Sequence, residues 1–222
     1  MSYTAKKQRP NPTLDELVQD LELDLVLGRM RPRERLVEDE LMARFGAKRH
    51  TVRSALSELE QRGLIERPQN RGARVRDYST EEVVALYEFR DDLHQLAISR
   101  IQLPMSGETL SELTRIAQDH EVAAEQGDLV QVIALNNRFH DTLFGQCDNA
   151  FLTETIKRMD AASNAIRSYR IGDPKLLQMA IEEHKQIIEA ARTGNRDDLA
   201  RLCRQHILPS RDMYLQDQTL RQ

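Results

Sequence analysis

Apolar residues recur at helical spacing along most of this 222-residue chain, and this periodicity restricts the fold more than any other feature. From residue 78 onward, six such stretches are separated by short turn signals of Pro, Gly, Asp and Asn. Aromatic residues make up only 5% of the chain and Trp is absent, which favours Ala- and Leu-rich helices over a β-sandwich. We therefore predict an all-α six-helix bundle with helices at 80–101, 106–126, 129–145, 150–170, 174–193 and 196–217.

A different pattern precedes the bundle. Residues 1–12 are polar and contain two prolines, so we predict a flexible arm there. Thr13 then opens a helix with Glu16 as its capping-box partner. Two helices, near 37–45 and 48–61, follow around the tight turn Gly46-Ala47, and two short strands, 64–67 and 73–76, flank the turn sequence PQNRG.

This order of helix, helix, turn, helix and hairpin predicts a winged helix-turn-helix domain over residues 13–77. The capping box Ser79-Thr80-Glu81-Glu82 then begins the second domain, residues 78–222. The predicted fold class is therefore mainly α, with a small winged domain ahead of the bundle.

The charge distribution indicates a polyanion partner for the first domain. The chain has a net charge of −4, yet residues 44–76 hold nine basic side chains and three acidic ones. On the helix at 48–61, Arg49 and Arg53 are one turn apart and adjoin an apolar stripe. A helix of this kind can enter the major groove of DNA with its first residues, here Lys48, Arg49, His50, Thr51 and Arg53. Arg71, Gly72 and Arg74 belong to the wing, where arginines can bind phosphates or probe the minor groove.

An ordinary solvated basic helix is the alternative explanation of KRHTVR alone. The run LVEDELMARFGAKRHTVRSALSELEQRGLIERPQNRGARV, however, resembles the DNA-binding domain of the GntR family of bacterial transcription regulators. The matching residues occur in order over about 40 positions. They are Leu36, Glu38, Leu41, Phe45, Gly46, Arg49, Val52, Arg53, Ala55, Leu56, Leu59, Gly63, Leu64, Ile65, Arg71, Gly72 and Val75.

Two positions depart from that family's pattern. Lys48 replaces the usual Ser at the start of the recognition helix, which removes a side-chain N-cap worth about 1 kcal/mol. Asp39 stands where relatives often carry a basic residue, so one contact to the DNA backbone is not expected here.

Six histidines occur in the chain, and spacing alone favours treating them as unrelated side chains, since no local metal motif is present. The second domain nevertheless resembles the FCD ligand-binding domain of FadR-type GntR regulators, in the shorter, VanR-like group with six helices. Four features carry the resemblance. They are Arg90 in YEFRDDL, the stretch Asn136 to His140 in NNRFH, Glu183-His184 in EEHKQI, and His206 near the end of the chain.

That resemblance implies a divalent metal ion (Zn, Ni, Mn or Fe) bound by Asn136, His140, His184 and His206, with Asn136 in place of the family's Asp. It further implies a small carboxylate effector that fills an open metal position and pairs with Arg90, with Asn164 and Arg167 also facing the pocket. The implied function is a metabolite-responsive repressor, acting as a homodimer on a pseudo-palindromic DNA operator.

Two other functions fit the sequence less well. A three-His metalloenzyme would need an acid or base beside the metal, and no HExxH, nucleophile or phosphate-loop motif occurs. A constitutive architectural DNA-binding protein would leave Arg90 and the three histidines without a role.

The sequence also lacks a secretion signal and an apolar stretch long enough to span a membrane. Cys147 and Cys203 lie in helical patterns, and we expect both to be reduced thiols. We therefore expect a cytoplasmic protein without membrane contact.

Overall fold

The computed structural model of the protein describes residues 11–68, 72–171 and 173–220. In chain order the elements are α1 (Leu14–Val26), β1 (Arg35–Leu36), α2 (Glu38–Phe45), α3 (Arg49–Gln61), β2 (Ile65–Glu66), β3 (Ala73–Val75), α4 (Thr80–Arg100), α5 (Gly107–Glu125), α6 (Leu129–Gly145), α7 (Ala150–Ala162), α8 (Asn164–Ile171), α9 (Pro174–Thr193) and α10 (Arg196–Leu220). The chain divides into two compact units, Met1–Asp77 and Tyr78–Gln222. The predicted fold class, mainly α with a winged helix-turn-helix ahead of a helical domain, is confirmed.

Helix α1 begins at the predicted capping box. The Thr13 hydroxyl accepts a hydrogen bond from the Glu16 amide, and the Glu16 carboxylate accepts one from the Thr13 amide. The apolar face of α1 belongs to one buried cluster with Val52, Leu56 and Leu59 of α3. Burial of each such Leu stabilises the fold by about 1.5–3 kcal/mol. This packing fixes the rotation of α3, so that its opposite face points to solvent.

The turn between α2 and α3 depends on Gly46. This residue has φ +64°, in the left-handed region that glycine enters without a steric penalty, and its amide donates to the Met42 carbonyl. Helix α3 then begins after Lys48, whose side chain makes no capping hydrogen bond. The predicted loss of the side-chain N-cap is thus confirmed.

The wing is a three-stranded antiparallel sheet with the order β1-β3-β2. The predicted hairpin is confirmed by the pairing of Ile65 with Val75 and of Glu66 with Arg74. Strand β1 was not predicted from the sequence, because two residues are too few to show an alternating pattern. The tip of the hairpin, including Arg71, lies outside the described residues.

The second unit starts with α4, whose predicted capping box between Ser79 and Glu82 is present. The single helix predicted over 150–170 is divided at Ser163 into α7 and α8, so residues 78–220, apart from position 172, contain seven helical segments where six were predicted. The Ser163 hydroxyl donates to the Asp160 carbonyl at 2.8 Å. A local bond of this type competes with helix continuation, and it could not be read from periodicity.

Candidate functional site

The solvent-facing side of α3 carries the basic residues predicted to contact DNA. Lys48, Arg49, His50 and Arg53 are exposed, and Thr51 is half-buried. The side chains of Arg49 and Arg53 are 50% and 62% exposed, respectively. They lie one turn apart near the N-terminus of the helix, where free backbone amides and the helix dipole also favour phosphate groups.

Two acidic residues at the start of α2 contact these arginines. Arg53 Nε donates to both carboxylate oxygens of Glu38, at 3.0 and 2.9 Å. Arg49 donates from Nη2 to Asp39 at 2.6 Å and from Nη1 to Glu38 at 3.3 Å. These pairs could not be predicted from the sequence, because the partners are ten to fifteen positions apart and on different helices.

In the described part of the wing, the predicted DNA-contacting residue Arg74 is paired with an acidic side chain. Arg74 donates from Nε to the carboxylate of its cross-strand partner Glu66 at 2.5 Å. Gly72 is exposed and has φ +73°, which suits the turn that leads into β3. Arg71, the third predicted wing residue, lies outside the described residues.

In the second unit, the bundle brings together three of the four predicted metal ligands in one cluster. His140 of α6, His184 of α9 and His206 of α10 each offer a ring nitrogen, and these nitrogens lie within 4.8 Å of one another. The Nε2 atoms of His140 and His206 are 3.1 Å apart. Three imidazoles from three helices with convergent nitrogens form the type of donor set that binds Zn, Ni, Mn or Fe.

Neighbouring groups fix the orientation and the charge of these imidazoles. His206 Nδ1 lies 2.7 Å from the Glu183 carboxylate, so this carboxylate orients the ring and leaves Nε2 facing His140. Burial lowers the pKa of His140 well below its ordinary value, and the adjacent His206 lowers it further. His140 is therefore neutral at physiological pH, as a metal ligand must be. The supporting role of Glu183 was not predicted, since the sequence showed it only as the neighbour of His184.

A cavity of about 50 Å³ adjoins the cluster. At roughly 10–15 Å³ per water, it has room for about three to five water molecules or a small organic acid. Among the predicted site residues, its walls include Arg90, Asn136, His140, Arg167 and His206. Asn136 precedes His140 by one helical turn, so its amide faces the same space.

Arg90 reaches this cavity from α4 and forms an ion pair there. Its Nε and Nη2 lie 2.9 and 2.8 Å from Asp160 Oδ1. The side chain of Arg90 is only 5% exposed, and its Nη1 makes no hydrogen bond within the described part of the chain. The two N–H groups of this buried nitrogen are thus available to an anion. Asp160, seventy residues away in sequence, was not predicted.

Arg167 lines the cavity from α8. Its Nη2 donates to Asn137 at 2.9 Å, and its Nη1 donates to Asn164 at 3.3 Å. Asn164 is buried and contacts Arg167, but it is not among the residues that line the cavity, where it was predicted to lie.

Comparison with known proteins agrees with both halves of this description. Residues 13–75 match the family described as bacterial regulatory proteins, gntR family, and residues 85–208 match the FCD domain. The chain belongs to the GntR family of regulators with an FCD domain. Members of this family bind DNA to control transcription, so the protein is a DNA-binding transcription regulator and not an enzyme.

Similar family members cover nearly the whole chain. Bacillus subtilis YdhC, an HTH-type transcriptional regulator, is 24% identical over 204 residues, which is 91% of this chain and 89% of YdhC. Escherichia coli RspR, an HTH-type transcriptional repressor, is 24% identical over 207 residues, or 93% and 91% of the two chains.

Solved structures of GntR regulators share the fold. E. coli McbR/YncC superposes with a TM-score of 0.75 at 19% identity, covering 92% of this chain and 97% of McbR. A GntR regulator from Rhodococcus sp. RHA1 has a TM-score of 0.74 at 20% identity, covering 91% and 97%. Among the described residues of this chain, no helix is both long enough and apolar enough to cross a membrane.

Proposed function

We propose that this GntR regulator is a repressor that leaves its operator when a small carboxylate binds at a metal ion in the FCD domain. The observation that carries the proposal is the convergence of three imidazoles beside the buried Arg90, whose Nη1 has no hydrogen-bond partner in the described residues. Neutral nitrogen donors next to a buried cation are suited to a metal and to an anion that contacts both.

His140, His184 and His206 would hold the metal ion, and the Asn136 amide oxygen would complete the set from α6. The ion supplies Lewis acidity toward a carboxylate oxygen. Because Asn136 is neutral where the family has Asp, the site keeps more positive charge, which weakens cation binding and strengthens anion binding.

Arg90 and Arg167 would bind the carboxylate from the other side of the cavity. The cavity, with a volume of about 50 Å³, has room for a small acid. The effector can alter DNA binding only through different affinities for the DNA-competent and the released arrangements, a coupling of typically about 1–3 kcal/mol.

On the DNA side, Lys48, Arg49, His50, Thr51 and Arg53 of α3 would enter the major groove, and Arg71, Gly72 and Arg74 of the wing would contact the backbone. A homodimer would place two such units on a pseudo-palindromic operator in the cytoplasm. The name of RspR, a transcriptional repressor similar over nearly its whole length, supports repression as the output.

Elemental analysis of the purified protein, combined with thermal unfolding in the presence of small mono- and dicarboxylic acids, tests the sensor half. We expect about one divalent ion per chain, its loss in His140→Ala and His206→Ala, and normal content in the control His50→Ala, whose imidazole is exposed on α3. A ligand at a hundredfold excess over its Kd adds about 2.7 kcal/mol to stability. A wild-type protein without metal, and with no response to any acid, would refute the proposal.

The regulatory half is tested with duplexes selected from a random library by the wild-type protein. An acid that raises the melting temperature should release the selected duplex, and it should fail to do so with Arg90→Gln. Size measurement of the complex should give two chains per duplex. Release that is equally efficient in wild type and Arg90→Gln would contradict the assigned ligand site.

A further inference from the structure

The two arginines of the recognition helix are held in different ways by the acidic pair at the start of α2. Arg53 is bound to Glu38 through Nε. Arg49 is bound through both terminal nitrogens, Nη1 to Glu38 and Nη2 to Asp39. Within residues 11–68 and 72–77, the ion pair of Arg53 is with Glu38 and its side-chain hydrogen bonds are donated by Nε.

This difference decides which arginine can read a base. Guanine presents O6 and N7 to the major groove, and an arginine recognises them with two parallel N–H groups. A guanidinium held at Nε can still offer both terminal nitrogens in this way, and the carboxylate restricts its orientation. A guanidinium whose two terminal nitrogens are both bound to carboxylates must break these contacts before it can bind a base.

We propose that Glu38 and Asp39 are positioning residues with opposite effects on DNA recognition. Glu38 orients Arg53 toward a guanine, and Asp39 competes with the duplex for Arg49 and thereby limits sequence-independent affinity. The inference rests on the proposed role of α3 in DNA reading.

The exposed fractions of the two carboxylates agree with these different roles. Asp39 is 72% exposed, so its pair with Arg49 is a solvated contact that weakens binding without blocking it. Glu38 is 31% exposed and contacts both arginines, which gives it a more fixed position. The four side chains together carry no net charge, so substitution of either acid changes the balance in a predictable direction.

The role of Asp39 is tested with a duplex of random sequence and the variant Asp39→Asn. We expect affinity to rise by about threefold and the salt dependence to steepen by about one phosphate contact, because Arg49 becomes available to the backbone. The matched control is Glu40→Gln, which removes one negative charge from the same exposed surface of α2 without an arginine contact among the described residues. In the Arg49→Ala background, Asp39→Asn should behave like Glu40→Gln.

An effect of Asp39→Asn no greater than that of Glu40→Gln, or one that persists without Arg49, would overturn the assignment of Asp39. Either result would show that only the overall charge of α2 matters.

The role of Glu38 is tested by base preference. Wild type and Glu38→Gln are compared on a selected duplex and on duplexes with single base-pair changes. We expect Glu38→Gln to lose about tenfold discrimination at the guanine position where Arg53→Lys also loses it, with other positions unchanged. Arg53→Lys keeps the charge, so it provides the comparison if Glu38→Gln alters the folding of α2, as judged by circular dichroism.

Two outcomes distinguish the DNA-reading role of α3 from the roles of Glu38 and Asp39. A wild-type protein that enriches no sequence removes the proposed DNA-reading role of α3 and this inference with it. Wild-type enrichment with full guanine discrimination in both Glu38→Gln and Arg53→Lys overturns this inference alone.

Discussion

Single residues in the bundle interior carry charges that must be balanced locally, and Asp160 is the clearest case. Burial opposes ionisation of this carboxyl, but the Arg90 guanidinium beside it outweighs burial and holds the pKa of Asp160 well below its ordinary value. His94 Nε2, 3.8 Å away, acts in the same direction. Asp160 is therefore ionised at neutral pH and keeps Arg90 in place, with the Nη1 amino group left for an anion.

Replacement of Asp160 by Asn should destabilise the protein, because Arg90 would remain buried without its counter-ion. Loss of one partner of a buried pair costs about 3–5 kcal/mol. Urea unfolding at neutral pH, followed by the circular dichroism of the bundle, measures this difference. The matched control is Asp141→Asn, since Asp141 is on the adjacent α6 and pairs with the half-exposed Lys157. Equal stabilities of wild type and Asp160→Asn would contradict the pairing.

The same pair predicts a pH dependence with a definite sign. A carboxyl whose folded pKa is depressed contributes stability above its unfolded pKa of about 3.9, and loses that contribution as the pH falls toward the folded pKa. The difference in unfolding free energy between wild type and Asp160→Asn should therefore be constant from pH 7 to about pH 5 and narrow below about pH 4. A difference that widens on acidification would show that Asp160 is not ionised in the folded state.

Cys203 gives a second prediction at this scale. Burial raises the pKa of its thiol to about 12, and the charge of Asp91 adds to the effect. Since only the thiolate reacts, we expect no alkylation of Cys203 by iodoacetamide in the folded protein near pH 8, and complete alkylation in denaturant. Mass spectrometry of the two samples measures the difference, and rapid labelling of the folded protein would contradict the burial of this side chain.

At the scale of elements, helix ends decide where segments begin. Thr13 and Ser79 cap α1 and α4 as their sequences predicted, whereas α3 starts at Lys48 without a side-chain cap. Lys48→Ser should therefore stabilise the first unit by about 1 kcal/mol, and Lys48→Ala should not. Thermal unfolding measures both variants. Equal stability of the Ser and Ala variants would mean that the free amides of α3 are already satisfied.

The elements that could be predicted from the sequence are those with local signals. Capping boxes, Gly46 at the turn and apolar periodicity sufficed for the helices and for the β2–β3 hairpin. Strand β1 was missed because its two residues pair with β3, almost forty positions away. The break at Ser163 was missed because it depends on a hydroxyl hydrogen bond inside a continuous helical pattern.

At the scale of the whole molecule, the side chains named at the candidate site come from six helices of the second unit, α4 and α6 to α10. The cluster of His140, His184 and His206 could be proposed only from the family resemblance, because no local spacing connects α6, α9 and α10. Glu183 and Asp160 had no comparable signal, since their roles depend on which side chains the packed helices bring within hydrogen-bond distance. Local chemistry thus predicted the elements, and the ion pairs that organise the site required the tertiary structure.

The separate cores of the two units lead to a final prediction about the metal. The apolar cluster around α1 and α3 shares no residue with the cluster that surrounds the histidines. A metal bound at the histidines should raise the stability of the second unit by mass action, since the unfolded chain does not present three convergent imidazoles.

Hydrogen exchange of the metal-loaded protein and of the chelator-treated protein, resolved by peptide, measures the change. We expect chelation to reduce protection in α6, α9 and α10 and to leave α1 and α3 unchanged, while a selected duplex should protect α3. A loss of protection that is uniform over both units would mean that metal and DNA regions unfold together, and an unchanged pattern would remove the metal from the function.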